Sequence, residues 1–309
     1  MPPPPPPDQL IFPPSQAALF EPYLPPLHPQ SQSQNADTPS QTKPFTTLTY
    51  AHSLDASIAT HPGVRTTLSG PQSKAMTHYL RTRHDAILIG AGTAVADDPG
   101  LNSRVFLPSS SSFPSTTGGG GGGGEPPLTS QPRPIILDPR GRWEFSAESK
   151  VIRLAAAGKG HGPWVVIADG TVVEEKRREV LEGVGGRFIT LGTRDQGQNQ
   201  EQGEGQGQGQ GQGRFGWKDV LGLLAREGIR SVMIEGGGEV INSLLAGGDE
   251  EENEGLVDAV IVTIAPTWFG QGGVVVSPPK RKGGEALRLR DVRWCPLGED
   301  VVLCGRIAR

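Results

Sequence analysis

Short, continuously apolar runs separated by helix-periodic stretches predict an α/β fold with a largely parallel, buried sheet. The last three such runs follow one another without helices, which adds antiparallel strands at the C-terminal end. Pro-, Gly- and Gln-rich tracts interrupt this pattern and cannot form core. Of 309 residues, 1–44 hold 14 of the 29 prolines, and 118–124 with 196–213 hold 14 of the 44 glycines. One domain over 45–309 is therefore expected, with a disordered Pro/Ser/Gln-rich leader at 1–44. Disordered insertions are expected near 108–131, 195–213 and 248–254. Roughly 210 residues remain, enough for one sizeable core.

The elements follow in order. Phe45–Ala51 is β-rich, and Ser69–Arg83 reads as a helix capped by Ser69 or Gly70 with Pro71 in its first turn. Asp85–Gly90, Pro134–Leu137 and Trp164–Ala168 are short apolar strands. Glu174–Val184 is a charged helix, Arg187–Leu191 a strand, and Trp217–Glu227 an amphipathic helix ending at Gly228. Ser231–Ile234 is a strand that passes through glycines into the helix Glu239–Leu245. Val257–Ile264, Leu287–Arg293 and Val301–Ile307 are the late strands. Gly90–Arg104 reads as a loop.

A net charge of −4 offers no broad cationic surface, which argues against a nucleic-acid backbone binder. The apolar segments are strand-length, and no basic region precedes an apolar one at the N-terminus. Neither a membrane span nor a secretory signal is expected. Two cysteines, Cys295 and Cys304, suit a reducing, cytoplasmic setting. The six histidines lack metal-ligand spacing, so no metal site is expected. The hexaproline at 2–7 could be a polyproline ligand or part of a solvated tail.

Three segments could carry chemistry. In SVMIEGGGEVINSLL (231–245) a strand runs through three glycines into a helix whose first N–H groups favour a phosphate. The same pattern also serves as a tight strand-to-helix turn without a ligand. Glu235 at the strand end is harder to dismiss, because a carboxylate beside a phosphate-binding turn calls for a ligand donor. GAGTAVADDPGLNSR (90–104) also follows an apolar strand, where ligands of open α/β sheets bind. Its Asp97–Asp98 pair could equally form an Asx turn, and Arg104 could be a solvated charge. The third segment is AHSLDASI (51–58).

Five blocks in one order carry more than each alone: 47–59 (TLTYAHSLDASIA), 78–104, 132–142 (PRPIILDPRGR), 231–245 and 257–273 (VDAVIVTIAPTWFGQGG). Together they resemble the reductase family of riboflavin biosynthesis. In particular they resemble its stand-alone fungal type, the 2,5-diamino-6-ribosylamino-4(3H)-pyrimidinone 5′-phosphate reductases, similar in turn to the reductase half of bacterial deaminase–reductases. The resemblance implies a dihydrofolate reductase-like fold, a homodimer, and NADPH-dependent reduction of a ribosylamino to a ribitylamino side chain.

It also implies roles by position. Ala51, Thr93, Asp97 and the turn Gly236, Gly237, Gly238, Glu239 and Val240 would contact the dinucleotide. Arg81, Leu101, Arg104 and Glu235 would hold the phosphorylated pyrimidine. The two arginines would meet its phosphate, and Glu235 would accept from its N–H groups. Asp55 is the candidate for proton handling, with capping of the turn after the first strand as its other role. Nothing identifies the reader of the NADPH 2′-phosphate, so NADH stays open as donor.

The chain departs from the family at Ala56–Ser57, where Gly and a basic residue are common. It also has Thr67 about where bacterial relatives carry tryptophan. It lacks the H-x-E and P-C-x-x-C elements of a zinc deaminase. The alternative reading is a dihydrofolate reductase-like enzyme acting on another pterin or pyrimidine, which would lack the paired arginines. The sequence further implies that deleting 1–44 and 196–213 leaves turnover intact.

Overall fold

The computed structural model describes residues 10–27, 42–106, 126–193, 214–246, 255–280 and 286–308. The chain begins with β1 (Leu10–Ile11) and α1 (Pro14–Phe20), then β2 (Phe45–His52) and the short β3 (Ser57–Ala59). Next come α2 (Pro71–Thr82), β4 (Ala86–Gly90), α3 (Ala91–Asp97), β5 (Val105–Phe106), β6 (Arg133–Leu137) and α4 (Lys150–Ala156). β7 (Trp164–Ala168), α5 (Glu175–Glu182), β8 (Arg187–Leu191), α6 (Trp217–Arg226), β9 (Ser231–Ile234) and α7 (Gly238–Leu245) continue the alternation. β10 (Ala259–Ile264), β11 (Val274–Val275), β12 (Leu289–Leu297) and β13 (Asp300–Ile307) follow.

Among the described residues one large sheet runs β12-β13-β10-β2-β9-β4-β6-β7-β8. Every pair from β10 to β8 is parallel, while β13 and β12 are added antiparallel. The α/β class with late antiparallel strands is thus present. Its central strands are continuously apolar because both faces are covered. Leu88, Ile234 and Val260 pack with Val220, Leu224 and Ile241 of α6 and α7. Their neighbours Met233 and Ile261 face Met76 and Leu80 of α2 on the opposite side. No helix among the described residues is long and apolar enough to cross a membrane.

The sheet order sets the position of the functional residues. β9 lies between β2 and β4, with Ile234 level with Leu48 on one side and Leu88 on the other. Glu235 and the glycines that follow it therefore emerge between the carboxyl ends of β2 and β4.

The expected disordered leader is corrected over its described part. Residues 10–27 form a strap in which Phe12, Phe20, Tyr23 and Leu24 are buried. β1 pairs in parallel with β5, and the Phe12 ring lies 5.2 Å from that of Tyr79 on α2. The Glu21 carboxylate accepts from the Tyr79 hydroxyl and the buried Arg83 guanidinium. Proline was misleading here because its fixed φ also starts helices, as Pro14 does for α1. Residues 1–9 and 28–41 of the leader lie outside the described residues, as do 195–213 and 248–254. Of the insertion near 108–131, residues 126–131 are described; Leu128–Ser130 make a 3-10 turn and Gln131 is buried. Besides α1, two helices are not anticipated by the sequence pattern. α3 begins the segment expected to be a loop, and α4 buries Val151 and Ile152.

Ala56 marks the departure noted between β2 and β3. It sits at φ +59°, the left-handed region, and its N–H closes the turn onto the Ser53 carbonyl at 3.0 Å. That conformation costs an L-residue about 1–2 kcal/mol, against about 0.5–1 kcal/mol for the extra unfolded freedom of glycine. Ala56→Gly is therefore expected to stabilise the chain by about 0.5 to 1 kcal/mol. A urea midpoint that stays put or falls would contradict this.

Candidate active site

A cleft of about 1310 Å³ opens at the carboxyl ends of the central strands. All twelve binding residues expected from the sequence line it: Ala51, Arg81, Thr93, Asp97, Leu101, Arg104, Glu235, Gly236, Gly237, Gly238, Glu239 and Val240. Asp55 is not among the lining residues. Its carboxylate accepts from the Ser53 hydroxyl and from the backbone N–H groups of Phe269 and Gly270, the last at 2.7 Å. The Ser53 hydrogen bond is the chief reason its acidity is strengthened. Asp55 thus ties the β2–β3 turn to the loop after β10, an arrangement that matches the second of its two expected roles.

The Gly-rich turn is dictated by the protein's own packing. None of Gly236, Gly237 and Gly238 has a positive φ. A Cβ on Gly236 would strike Val240, one on Gly237 would stand 2.9 Å from Thr93 Oγ1, and one on Gly238 2.7 Å from Val274 Cγ1. The turn therefore lies directly against Thr93 of α3, so the two segments expected to bind a dinucleotide abut. Gly237 caps α7 without a side chain, which leaves the first N–H groups of that helix open to an anion.

The Arg81–Glu235 relation differs from expectation. Arg81 Nε and Nη2 donate to the two Glu235 oxygens at 2.9 and 2.7 Å, and Nη1 donates to the Asn102 carbonyl at 3.0 Å. Both side chains are largely buried, at 13% and 19% exposure. The Arg81 fork is thus spent within the protein, so that of the two arginines expected to meet a phosphate it is Arg104 that lies exposed at the cleft. Glu235 keeps lone pairs for further donors but is held in place by the guanidinium.

Several cleft residues were missed. Lys74 and His78 share a face of α2 with Arg81 at spacings of four and three, a signal present in the sequence. Arg140 and Arg142 reach the cleft because buried Asp138 accepts from the N–H groups of Arg142 and Trp143 at 3.1 and 2.8 Å and so fixes their loop. A Cβ on Gly92 of α3 would lie 3.7 Å from Arg142 Nη2. Lys150 and Arg153 belong to α4, whose first N–H bonds Asp98 at 3.0 Å. Burial pushes the Asp97 carboxyl up, opposed by Arg65 and Lys150.

Nine Lys/Arg against four Asp/Glu line the cleft of a chain whose net charge is −4. The positive field is concentrated where anionic ligands would enter.

Known proteins resemble this chain over most of its length. The model of the RibD C-terminal domain matches residues 44–303. A 2,5-diamino-6-ribosylamino-4(3H)-pyrimidinone 5′-phosphate reductase of Candida glabrata is 39% identical over 266 residues, covering 86% of this chain and 90% of its own. The enzyme of the same name from Eremothecium gossypii is 39% identical over 293 residues, covering 94% and 96%. The solved riboflavin biosynthesis reductase Rib7 of Saccharomyces cerevisiae superposes with a TM-score of 0.63 at 32% identity, covering 94% of this chain and 98% of that one. With the family model matched over residues 44–303 and these relatives beside it, the chain belongs to the RibD C-terminal domain family of reductases.

Proposed function

We propose that this chain reduces 2,5-diamino-6-(ribosylamino)-4(3H)-pyrimidinone 5′-phosphate to its ribitylamino form with NADPH as reductant. The observation that carries the reading is the strand order β2-β9-β4. It gathers the Gly-rich turn, Thr93 and Asp97 into the same cleft as Arg104 and the Arg81–Glu235 pair. The cleft fits a dinucleotide chemically. It combines an uncapped helix start following the Gly-rich turn with an excess of cations for phosphate groups.

When bound, the nicotinamide supplies a hydride. The residues of this chain do the rest. Gly236–Val240 with Thr93 and Asp97 hold the dinucleotide, and Arg104 holds the sugar phosphate. Arg81 presents Glu235 to the amino and ring N–H groups of the pyrimidine. In the substrate, the C1′–ring-oxygen bond breaks as the sugar opens: the glycosidic nitrogen gives up its proton, the released oxygen takes one to become a hydroxyl, and a C1′=N imine remains. C1′ then accepts the hydride and the nitrogen regains a proton. The electron-rich pyrimidine assists opening, so Asp55 is not needed as an acid. The same reading takes the protein as a cytoplasmic homodimer. Support comes from family likeness and from the exposed Val292 and Trp294 on edge strand β12, and the mass in solution reports on the assembly.

The test is NADPH oxidation by the full chain. Turnover should depend on the ribosylaminopyrimidine phosphate, and the dephosphorylated compound should show a KM roughly 10–100-fold higher, as expected when a charge-assisted contact is lost. Absence of oxidation with both NADPH and NADH would refute the proposal.

A further inference from the structure

The backbone that carries Arg104 is held at successive peptides by side chains. Arg81 Nη1 donates to the Asn102 carbonyl, and Asn102 Nδ2 donates to the Lys159 carbonyl at 3.1 Å. Buried Gln131 pairs with Ser103 on both sides, its Oε1 accepting from the Ser103 N–H at 2.7 Å and its Nε2 donating to the Ser103 carbonyl at 3.0 Å. The Arg104 N–H donates to His78 Nδ1 at 3.0 Å, and the Ser103 hydroxyl donates to the His78 carbonyl at 2.7 Å. One residue later, Val105 is paired with Leu10 of the strap.

His78 is the member of this set whose chemistry is unusual. It is buried on α2 with Lys74, Arg81 and Arg104 around it, and only an imidazole with an unprotonated Nδ1 can accept from the Arg104 N–H. Burial first, then those three cations, pushes its pKa down to about 2, so the acceptor is retained throughout the working range. A neutral ring also leaves the surrounding positive charge undiminished for an anion, which a carboxylate acceptor at this place would not.

We infer that His78 is a positioning residue for substrate: it fixes the Arg104 backbone so that the guanidinium meets the sugar phosphate. This rests on the function proposed above. Without the Nδ1 acceptor, the Arg104 N–H is left unpaired and the arm is free to shift. The cost falls on substrate affinity, because His78 makes no hydrogen bond with the turn formed by Gly236–Gly238 and Thr93.

The experiment compares His78→Leu, His78→Asn, His78→Gln, Arg104→Ala and the double variant His78→Leu/Arg104→Ala. Steady-state kinetics with the ribosylaminopyrimidine phosphate and separate NADPH titrations are measured for each. His78→Leu and Arg104→Ala should each raise substrate KM roughly tenfold to hundredfold, the span carried by one hydrogen bond or contact to a charged group. NADPH Kd should stay within about twofold, and the double variant should be no worse than Arg104→Ala, as for two residues acting through one contact. His78→Asn, whose Oδ1 can stand in for Nδ1, should recover most of the loss, and His78→Gln should not.

If His78→Leu does not fold by circular dichroism, the Asn and Gln pair decides. Unchanged KM in His78→Leu, equal KM in the Asn and Gln variants, or additive losses in the double variant would overturn the inference. A wild-type chain with no turnover on this substrate would instead overturn the functional reading beneath it.

Discussion

Deleting residues 1–27 should leave a chain that does not fold stably and does not oxidise NADPH. Phe12, Phe20, Tyr23 and Leu24 are each at most 5% exposed. Burying a large apolar side chain contributes about 1.5–3 kcal/mol, so losing four removes about 6–12 kcal/mol, comparable to the whole stability of a domain. The deletion also strips Arg83, whose side chain is 3% exposed, of its Glu21 partner and of the Pro25 carbonyl bonded at 3.0 Å. A buried guanidinium without a partner is more costly than the pair was stabilising. Excising 196–213 instead should preserve turnover. Soluble expression and a urea melt of both deletions check this, and an unchanged midpoint after loss of 1–27 would show that the strap is not part of the core.

The second large effect belongs to Glu235. Glu235→Ala leaves Arg81 Nε and Nη2 facing an emptied site in which the arginine is only 13% exposed. The expected loss is about 3–5 kcal/mol of stability, together with substrate affinity. Arg81→Leu with Glu235→Leu should cost clearly less than the sum of the single changes, because no charge is then stranded. Urea midpoints of the four chains measure the coupling. Additive losses would mean that the two-point contact contributes nothing beyond its separate halves.

Much of this architecture was legible in the sequence. Strands such as Ala86–Gly90 and Ser231–Ile234 are apolar throughout because sheet neighbours and helices bury both faces, and such runs read plainly. The site was legible where residues follow a strand end, as Thr93 and Gly236 do. Partnership was less legible. Nothing local to Arg81 or Glu235 indicates that they meet across 154 positions, since β9 reaches α2's neighbourhood only by inserting between β2 and β4. The strap was misread for a related reason. Averaged over 44 residues, its composition resembles a solvated tail, yet Phe12 and Phe20 each find a place prepared by α2. The partners of Asp55 on the far loop, Phe269 and Gly270, are not legible either, because they lie more than two hundred residues away.

The strap also sets a constraint on synthesis. The Tyr23 hydroxyl bonds the Asp291 carbonyl and Arg306 Nη2 bonds the Pro22 carbonyl at 2.6 Å, contacts that join residues 268 and 284 positions apart. β13 in turn supplies Val302 and Cys304 to the same cluster as Phe12 and Phe20. The cover over this segment is therefore complete only once β13 has been made, long after α2 and β5, and closure of so long a loop is slow. Holding that segment soluble during translation is a task its flanking prolines, poor partners for any sheet edge, are suited to perform.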